Sequence, residues 1–118
     1  MSEFYGRDDV FAVCAGLPAT TDETPFGPEI SVYKVVGRVF ALTTLDGEPA
    51  RVTLKADPPH AEALVRGYDW IIPGYHMNKR HWVTITLGEH ADGDLVTDLI
   101  VNSYELVVAG LPRDKRPG

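Results

Sequence analysis

The chain changes hydrophobic period several times, and each change marks an element. Phe4, Val10, Phe11, Cys14 and Leu17 recur at helical spacings and share one stripe. They predict a helix over residues 8–16, with Asp8 and Asp9 in the first turn, where carboxylates meet the positive end of the helix dipole. Gly16 followed by Leu17-Pro18 ends it. Residues 18–29 carry three prolines, a glycine and several Thr, Asp and Glu, which reads as a loop. From residue 30 the period shortens. Ile30 to Val36 is β-branched and aromatic, Gly37-Arg38 fits a tight turn, and Val39 to Leu45 reads as a second strand. Asp46-Gly47-Glu48-Pro49 is a turn cluster. Arg51-Val52-Thr53-Leu54-Lys55 then alternates, Val52 and Leu54 to one face and Arg51, Thr53 and Lys55 to the other. Such alternation predicts an antiparallel meander with one solvated face.

Asp57-Pro58-Pro59 opens a second helix, Asp57 as cap and Pro58 at the first helical position, where its missing N–H costs nothing. Ala61, Leu64, Val65 and Tyr68 form its buried stripe, and Gly67 limits its length. Trp70-Ile71-Ile72 and His81 to Leu87 read as strands, with Val83, Ile85 and Leu87 inward and Trp82, Thr84 and Thr86 outward. Met77-Asn78-Lys79-Arg80 would form the tip between them. After Asp92-Gly93-Asp94, the residues Leu95, Leu99, Ile100, Leu106 and Val107 give a long helical stripe that also carries Ser103, small enough for close packing; Gly110 and Leu111-Pro112 stop it. Residues 113–118 read as a charged, frayed tail. The order α-β-β-β-α-β-β-α predicts one α+β domain over 1–118, two layers deep, with helices on one face of an antiparallel sheet.

Charge sharpens this picture. The chain of 118 residues has net charge −6, which argues against a general nucleic-acid binder. Residues 1–33 hold one cation and six acids, a net of −5. Residues 34–82 hold seven cations and five acids, a net of +2, and residues 83–118 return to −3. The middle is thus basic between acidic ends, although solvated acidic helices alone would give the same distribution. No apolar run approaches the roughly 20 residues that span a bilayer. The start lacks the basic-then-apolar pattern of a signal peptide, and the single cysteine, Cys14, allows no internal disulfide; these features predict a cytoplasmic protein.

The reversal of charge is strongest in Pro73-Gly74-Tyr75-His76-Met77-Asn78-Lys79-Arg80-His81-Trp82, which has two cations, two imidazoles, two aromatics and no carboxylate. Lys79 and Arg80 at a hairpin tip could neutralise phosphate, Arg as a bidentate donor and Lys as a point charge. Asn78, His76 and His81 could donate hydrogen bonds, and Tyr75 and Trp82 offer flat faces for a base. Lys34, Arg51 and Lys55 would extend the patch if the solvated sheet face lies beside the hairpin. An ordinary polar turn with Tyr75 and Trp82 covering the sheet is the plain alternative. Trp82 with Tyr75 and Arg80 also has the composition of a protein-interaction hot spot, so an adaptor or small-ligand domain using the same sheet face is the rival reading.

Other chemistry finds less support. His76 and His81 flank one turn, but His60, His90 and Cys14 lie in other elements, and no metal-ligand spacing occurs, so no metal or other cofactor is expected. Cys14 sits on an apolar stripe with no base beside it, Asp92 and Asp94 read as capping acids, and nucleophile-elbow, phosphate-loop and dinucleotide motifs are absent; the chain is expected not to be an enzyme.

These residues resemble the MmcQ/YjbR family over nearly the whole chain. The resemblance is carried by Cys14-Ala15-Gly16-Leu17-Pro18, Pro25-Phe26-Gly27, Tyr33-Lys34-Val35, Phe40-Ala41-Leu42, Val52-Thr53-Leu54-Lys55, the block from Pro73 to Trp82, and Ser103-Tyr104-Glu105-Leu106-Val107. It implies a two-layer, CyaY- or frataxin-like domain whose hairpins act as a double wing, and it implies DNA as a partner. It brings no catalytic residues. The acidic iron-binding ridge of frataxin-like folds has no counterpart in Asp8 and Asp9 alone.

Overall fold

The computed structural model describes residues 5–45, 47–74 and 78–117. Three helices, α1 (Arg7–Gly16), α2 (Pro58–Gly67) and α3 (Gly93–Ala109), accompany six strands: β1 (Thr20–Glu23), β2 (Ile30–Val35), β3 (Arg38–Thr44), β4 (Arg51–Lys55), β5 (Ile71–Pro73) and β6 (Trp82–Thr86). The strands form one antiparallel sheet in the order β1-β2-β3-β4-β6-β5. The α+β class and the helices on one face are as the periodicity predicts. One element is not. Residues 20–23, expected in a loop, form the edge strand β1. Its outward residues are polar and exposed, so no apolar alternation announces it; pairing with β2 supplies its backbone partners. The Thr20 hydroxyl fixes its entry by donating to the Cys14 and Leu17 carbonyls at 3.1 and 3.0 Å.

Local chemistry sets the helix ends. Gly6 N donates to the Asp9 carboxylate at 2.8 Å ahead of α1. Asp92 caps α3 by accepting from the Asp94 and Leu95 amides at 3.0 and 3.2 Å. Asp57 holds the cap position of α2 without a side-chain bond, and Pro58 occupies the first turn as expected. Tyr68 is not on the buried stripe of α2: it is 38% exposed just beyond the helix and packs on Trp70 at 5.2 Å between ring centroids. On α3 the buried face is Val96, Leu99, Ile100, Ser103, Tyr104 and Val107, with Leu95 and Leu106 on its flanks.

Residues paired across antiparallel strands share a face. Tyr33, Ala41, Val52, Leu54, Val83, Ile85 and Ile71 face the helices and form the core with Val10, Cys14, Leu64 and Ile100. The opposite face carries the row Val32, Leu42, Thr53, Thr84 and Ile72. Its centre is not solvated as the alternation suggests. Val32 is fully buried, and Thr53 and Thr84 are 8% and 2% exposed with their hydroxyls hydrogen-bonded at 2.9 Å. Longer neighbours on the same face, Arg51, Lys55 and Trp82, flank the two threonines along their strands.

A bulge interrupts the β2–β3 pair: Tyr33 opposes Ala41, but Lys34 opposes Val39, so Phe40 has no direct partner. Phe40 and Ala41 are both buried as a result. Continuing the β3–β4 register would pair Phe40 with Lys55. There the Ser103 hydroxyl of α3 inserts instead, accepting from Lys55 N at 2.9 Å and donating to Phe40 O at 2.6 Å. Ser103 is thus more than a small residue at a close contact. Ser103→Ala leaves both backbone groups unsatisfied in a buried site and is expected to cost about 2–4 kcal/mol, read as a lower urea midpoint at unchanged slope.

Candidate functional site

Strand direction gathers the basic residues. In the antiparallel order, β3 and β6 both begin at the sheet end where β2 and β4 finish. That end therefore carries Lys34, Arg38, Lys55 and Trp82, and the turn holding Lys79 and Arg80 lies just before Trp82. Lys55 pairs directly with Trp82. Arg51 shares the open face but stands at the opposite end, opposite Thr86 and about 13 Å along the strand from Lys55. Lys34 is at the right end, yet its ammonium pairs with Glu23 at 3.2 Å. Arg38, absent from the sequence-predicted set, is exposed at the start of β3. The turn before it uses Val36 and Gly37, both at positive φ (49° and 78°), a two-residue hairpin turn placed one residue earlier than Gly37-Arg38.

Two details shape the second turn. The Asn78 side chain accepts from Arg80 N at 2.9 Å, while His81 N donates to Asn78 O at 3.1 Å. Asn78 is thus a turn former that holds Lys79 and Arg80 outward; both are exposed, and among the described residues neither forms an ion pair. Below the turn, Gly74 N donates to Trp82 O at 2.7 Å, and a Cβ at Gly74 would lie 2.6 Å from Trp82 Cβ and 2.9 Å from Trp82 O. Only glycine fits. His81 is exposed, and its carbonyl accepts from Ala56 N at 2.9 Å, tying the hairpin to the approach of α2; Trp82 is half-buried. Tyr75 and His76, together with Met77, lie outside the described residues.

Between this hairpin and α2 runs a groove of about 490 Å³. Pro58, Ala61 and Val65 of α2 with Pro73 of β5 give it an apolar floor. Lys79 and Arg80 stand on one rim and Arg66 on the other, with Glu62 beside Arg66 at 3.9 Å. Arg66 is a second residue the sequence reading missed; its signal was the spacing 58, 61, 62, 65, 66, one continuous face of a helix.

Elsewhere, Cys14, Tyr33 and His90 are held within the fold. Cys14 is fully buried, and desolvation, with Asp22 adding to it, pushes its thiol up to about 12. Tyr33 is pushed up to about 12 in the same way. His90 donates from Nε2 to the Thr86 carbonyl at 2.8 Å and packs on Trp70 at 5.9 Å. Among the described residues no three His, Cys, Asp or Glu side chains converge as metal ligands, and no helix is long and apolar enough to cross a membrane.

Comparison with known proteins gives consistent matches. The YjbR family model matches residues 15–106. The uncharacterized protein YbdF of Escherichia coli O157:H7 is 46% identical over 99 residues, covering 80% of each chain. The uncharacterized protein YjbR of Escherichia coli K12 is 28% identical over 92% of each chain. The crystal structure of Deinococcus radiodurans protein DR2400, of domain family DUF419, superposes with a TM-score of 0.87 at 38% identity, covering 92% of this chain and 83% of the other. A Pseudomonas syringae protein shares the fold at 23% identity and a TM-score of 0.74.

Two measurements test this geometry. Gly74→Ala should lower stability by about 1–3 kcal/mol through overpacking against Trp82, whereas Gly67→Ala, where a Cβ meets nothing within 4 Å, should be neutral or stabilising by up to about 1 kcal/mol in urea titration. Cys14 should react with Ellman's reagent at pH 8 at least about 1,000-fold more slowly in the native state than in denaturant, since only the thiolate attacks. The raised values for Cys14 and Tyr33 mean the native state holds their protons more tightly than the unfolded chain. Their contribution to stability is therefore complete below about pH 9 and is lost as pH rises toward 12.

Proposed function

The chain belongs to the YjbR family, and from that premise we propose that it is a cytoplasmic, non-catalytic protein that binds nucleic acid, DNA first among candidates, through the phosphate backbone. The observation that carries this reading is the meeting of Arg38, Lys55, Lys79 and Arg80 at one end of the sheet in a chain of net charge −6. The two hairpin turns at that end act as wings. Three strand spacings separate their axes, about 14 Å, which suits contacts to two separate stretches of backbone. Arg38 and Arg80 provide bidentate donors, Lys55 and Lys79 provide point charges, and Trp82 beside Lys55 offers its exposed part for stacking. Lys34, neutralised by Glu23, and Arg51, at the far end, contribute little. Absence of catalysis accords with Cys14, whose buried thiol is protonated at neutral pH.

A protein partner is the second reading, favoured by Ile72 and Tyr68, 45% and 38% exposed near the β5 edge. Salt separates the two. Four phosphate contacts should cost roughly 100-fold in affinity between 50 and 200 mM salt, whereas an apolar protein interface should change little. In fluorescence anisotropy with a labelled DNA fragment at about 50 mM salt, Lys79→Glu with Arg80→Glu should abolish binding and Arg51→Glu should leave it nearly unchanged. Wild-type protein that does not bind, or a double variant that binds like wild type, would end this reading.

A further inference from the structure

We infer that the groove between α2 and the β5–β6 hairpin takes an unpaired nucleotide, so that the natural ligand is single-stranded nucleic acid rather than an intact duplex. This rests on the nucleic-acid reading above and specifies its substrate class. The groove's volume of about 490 Å³ lies within the range of ligand-sized clefts. Its floor of Ala61, Val65 and Pro73 is apolar, which suits the face of a base and not a phosphate. Its hairpin rim is cationic, with Lys79 and Arg80; on the α2 rim Arg66 pairs with Glu62, the one acid among the described lining residues. Apolar floor and cationic rim together match a nucleotide, whose base is flat and sparingly hydrated and whose phosphates are anionic.

A paired base cannot reach such a floor. It must leave the stack, and that step costs a few kcal/mol in a duplex and far less in a single strand. A polymer fits better than a free nucleotide, because Arg38, at the start of β3 beside the other hairpin turn, lies about two and a half strand spacings from the β5–β6 hairpin axis, about 12 Å, roughly three to four nucleotides at a 3.4 Å stacked rise. Glu62 in the groove adds a preference. A carboxylate accepts hydrogen bonds from an exocyclic amino group, as in contacts to cytosine N4, and repels the carbonyl edge of thymine.

The test compares labelled 12-nucleotide single strands of dA, dC and dT with a 12-base-pair duplex by anisotropy at about 50 mM salt, for wild type, Val65→Trp, Val65→Gln and Lys79→Glu/Arg80→Glu. Val65 is half-buried on the groove floor, so tryptophan fills the groove and glutamine makes it polar; circular dichroism confirms that each variant is folded. Wild type should bind dA or dC strands at least 5-fold tighter than duplex and tighter than dT. Either Val65 variant should lose that margin and keep duplex affinity. Equal affinity for duplex and single strands, or a folded Val65 variant that retains the margin, overturns the groove assignment while leaving backbone binding intact. Displacement of the strand by micromolar free nucleotide overturns the polymer assignment. Loss of all binding already in wild type removes the underlying reading as well.

Discussion

The structure depends on one hydroxyl. The β3–β4 ladder stops at Ala41–Leu54, because the bulge in β2–β3 turns Phe40 into the core, where its ring meets Tyr104 edge-on at 5.4 Å between centroids. A bulge of this kind leaves a carbonyl and an amide unpaired in a buried place, which is costly unless something fills the gap. Ser103 fills it, bonding Lys55 N and Phe40 O at once. It couples three things: the seating of α3 on the sheet, the burial of Phe40, and the position where β4 ends. Lys55 is the last residue of β4, opposite Trp82, so the same bond that closes the core also fixes one cation of the candidate site.

The hairpin joins stability to function in a similar way. Gly74 lets the two stems approach until no side chain would fit, and Asn78 folds the turn through its own side chain. Both residues shape the hairpin, and neither needs a ligand to explain it. Lys79 and Arg80 differ. They are exposed at the turn, make no ion pair among the described residues, and do nothing visible for the fold. Within one block of sequence, then, the residues that build the hairpin can be told apart from those that leave their charges free at its turn.

Much of this was legible in the sequence, and the failures have physical causes. Period-2 and helical patterns located all three helices and five of the six strands, because each buries an apolar face. β1 escaped because edge strands take their order from a neighbour and can be polar throughout, as Thr20 to Glu23 are. Lys79 and Arg80 were legible from local charge. Arg51 was grouped with Lys55 on face alone; alternation gives the face of a strand residue, but only the register tells which end of the sheet it occupies. Arg38 and Arg66 were missed for the same reason, since their neighbours across space come from strand order and helix packing. Lys34 lies at the same sheet end as Lys55, yet the Glu23 that neutralises it belongs to the unforeseen strand.

The acidity of the whole chain now has a physical consequence. A uniformly basic domain attracts an anionic polymer in any orientation, and its contacts are interchangeable. On the proposed reading, the net charge of −6 disfavours the approach of a polyanion, and the sheet end with its two turns gathers four of the cations that would offset it. Encounter from elsewhere gains nothing, so orientation is selected before any specific contact forms. On that reading, few cations imply modest backbone affinity, and discrimination would come from shape next to them. The apolar-floored groove under Lys79 and Arg80 is a concave surface of that kind beside them. A sparse cationic end on an acidic body suits selective, salt-sensitive contact better than general coating of nucleic acid.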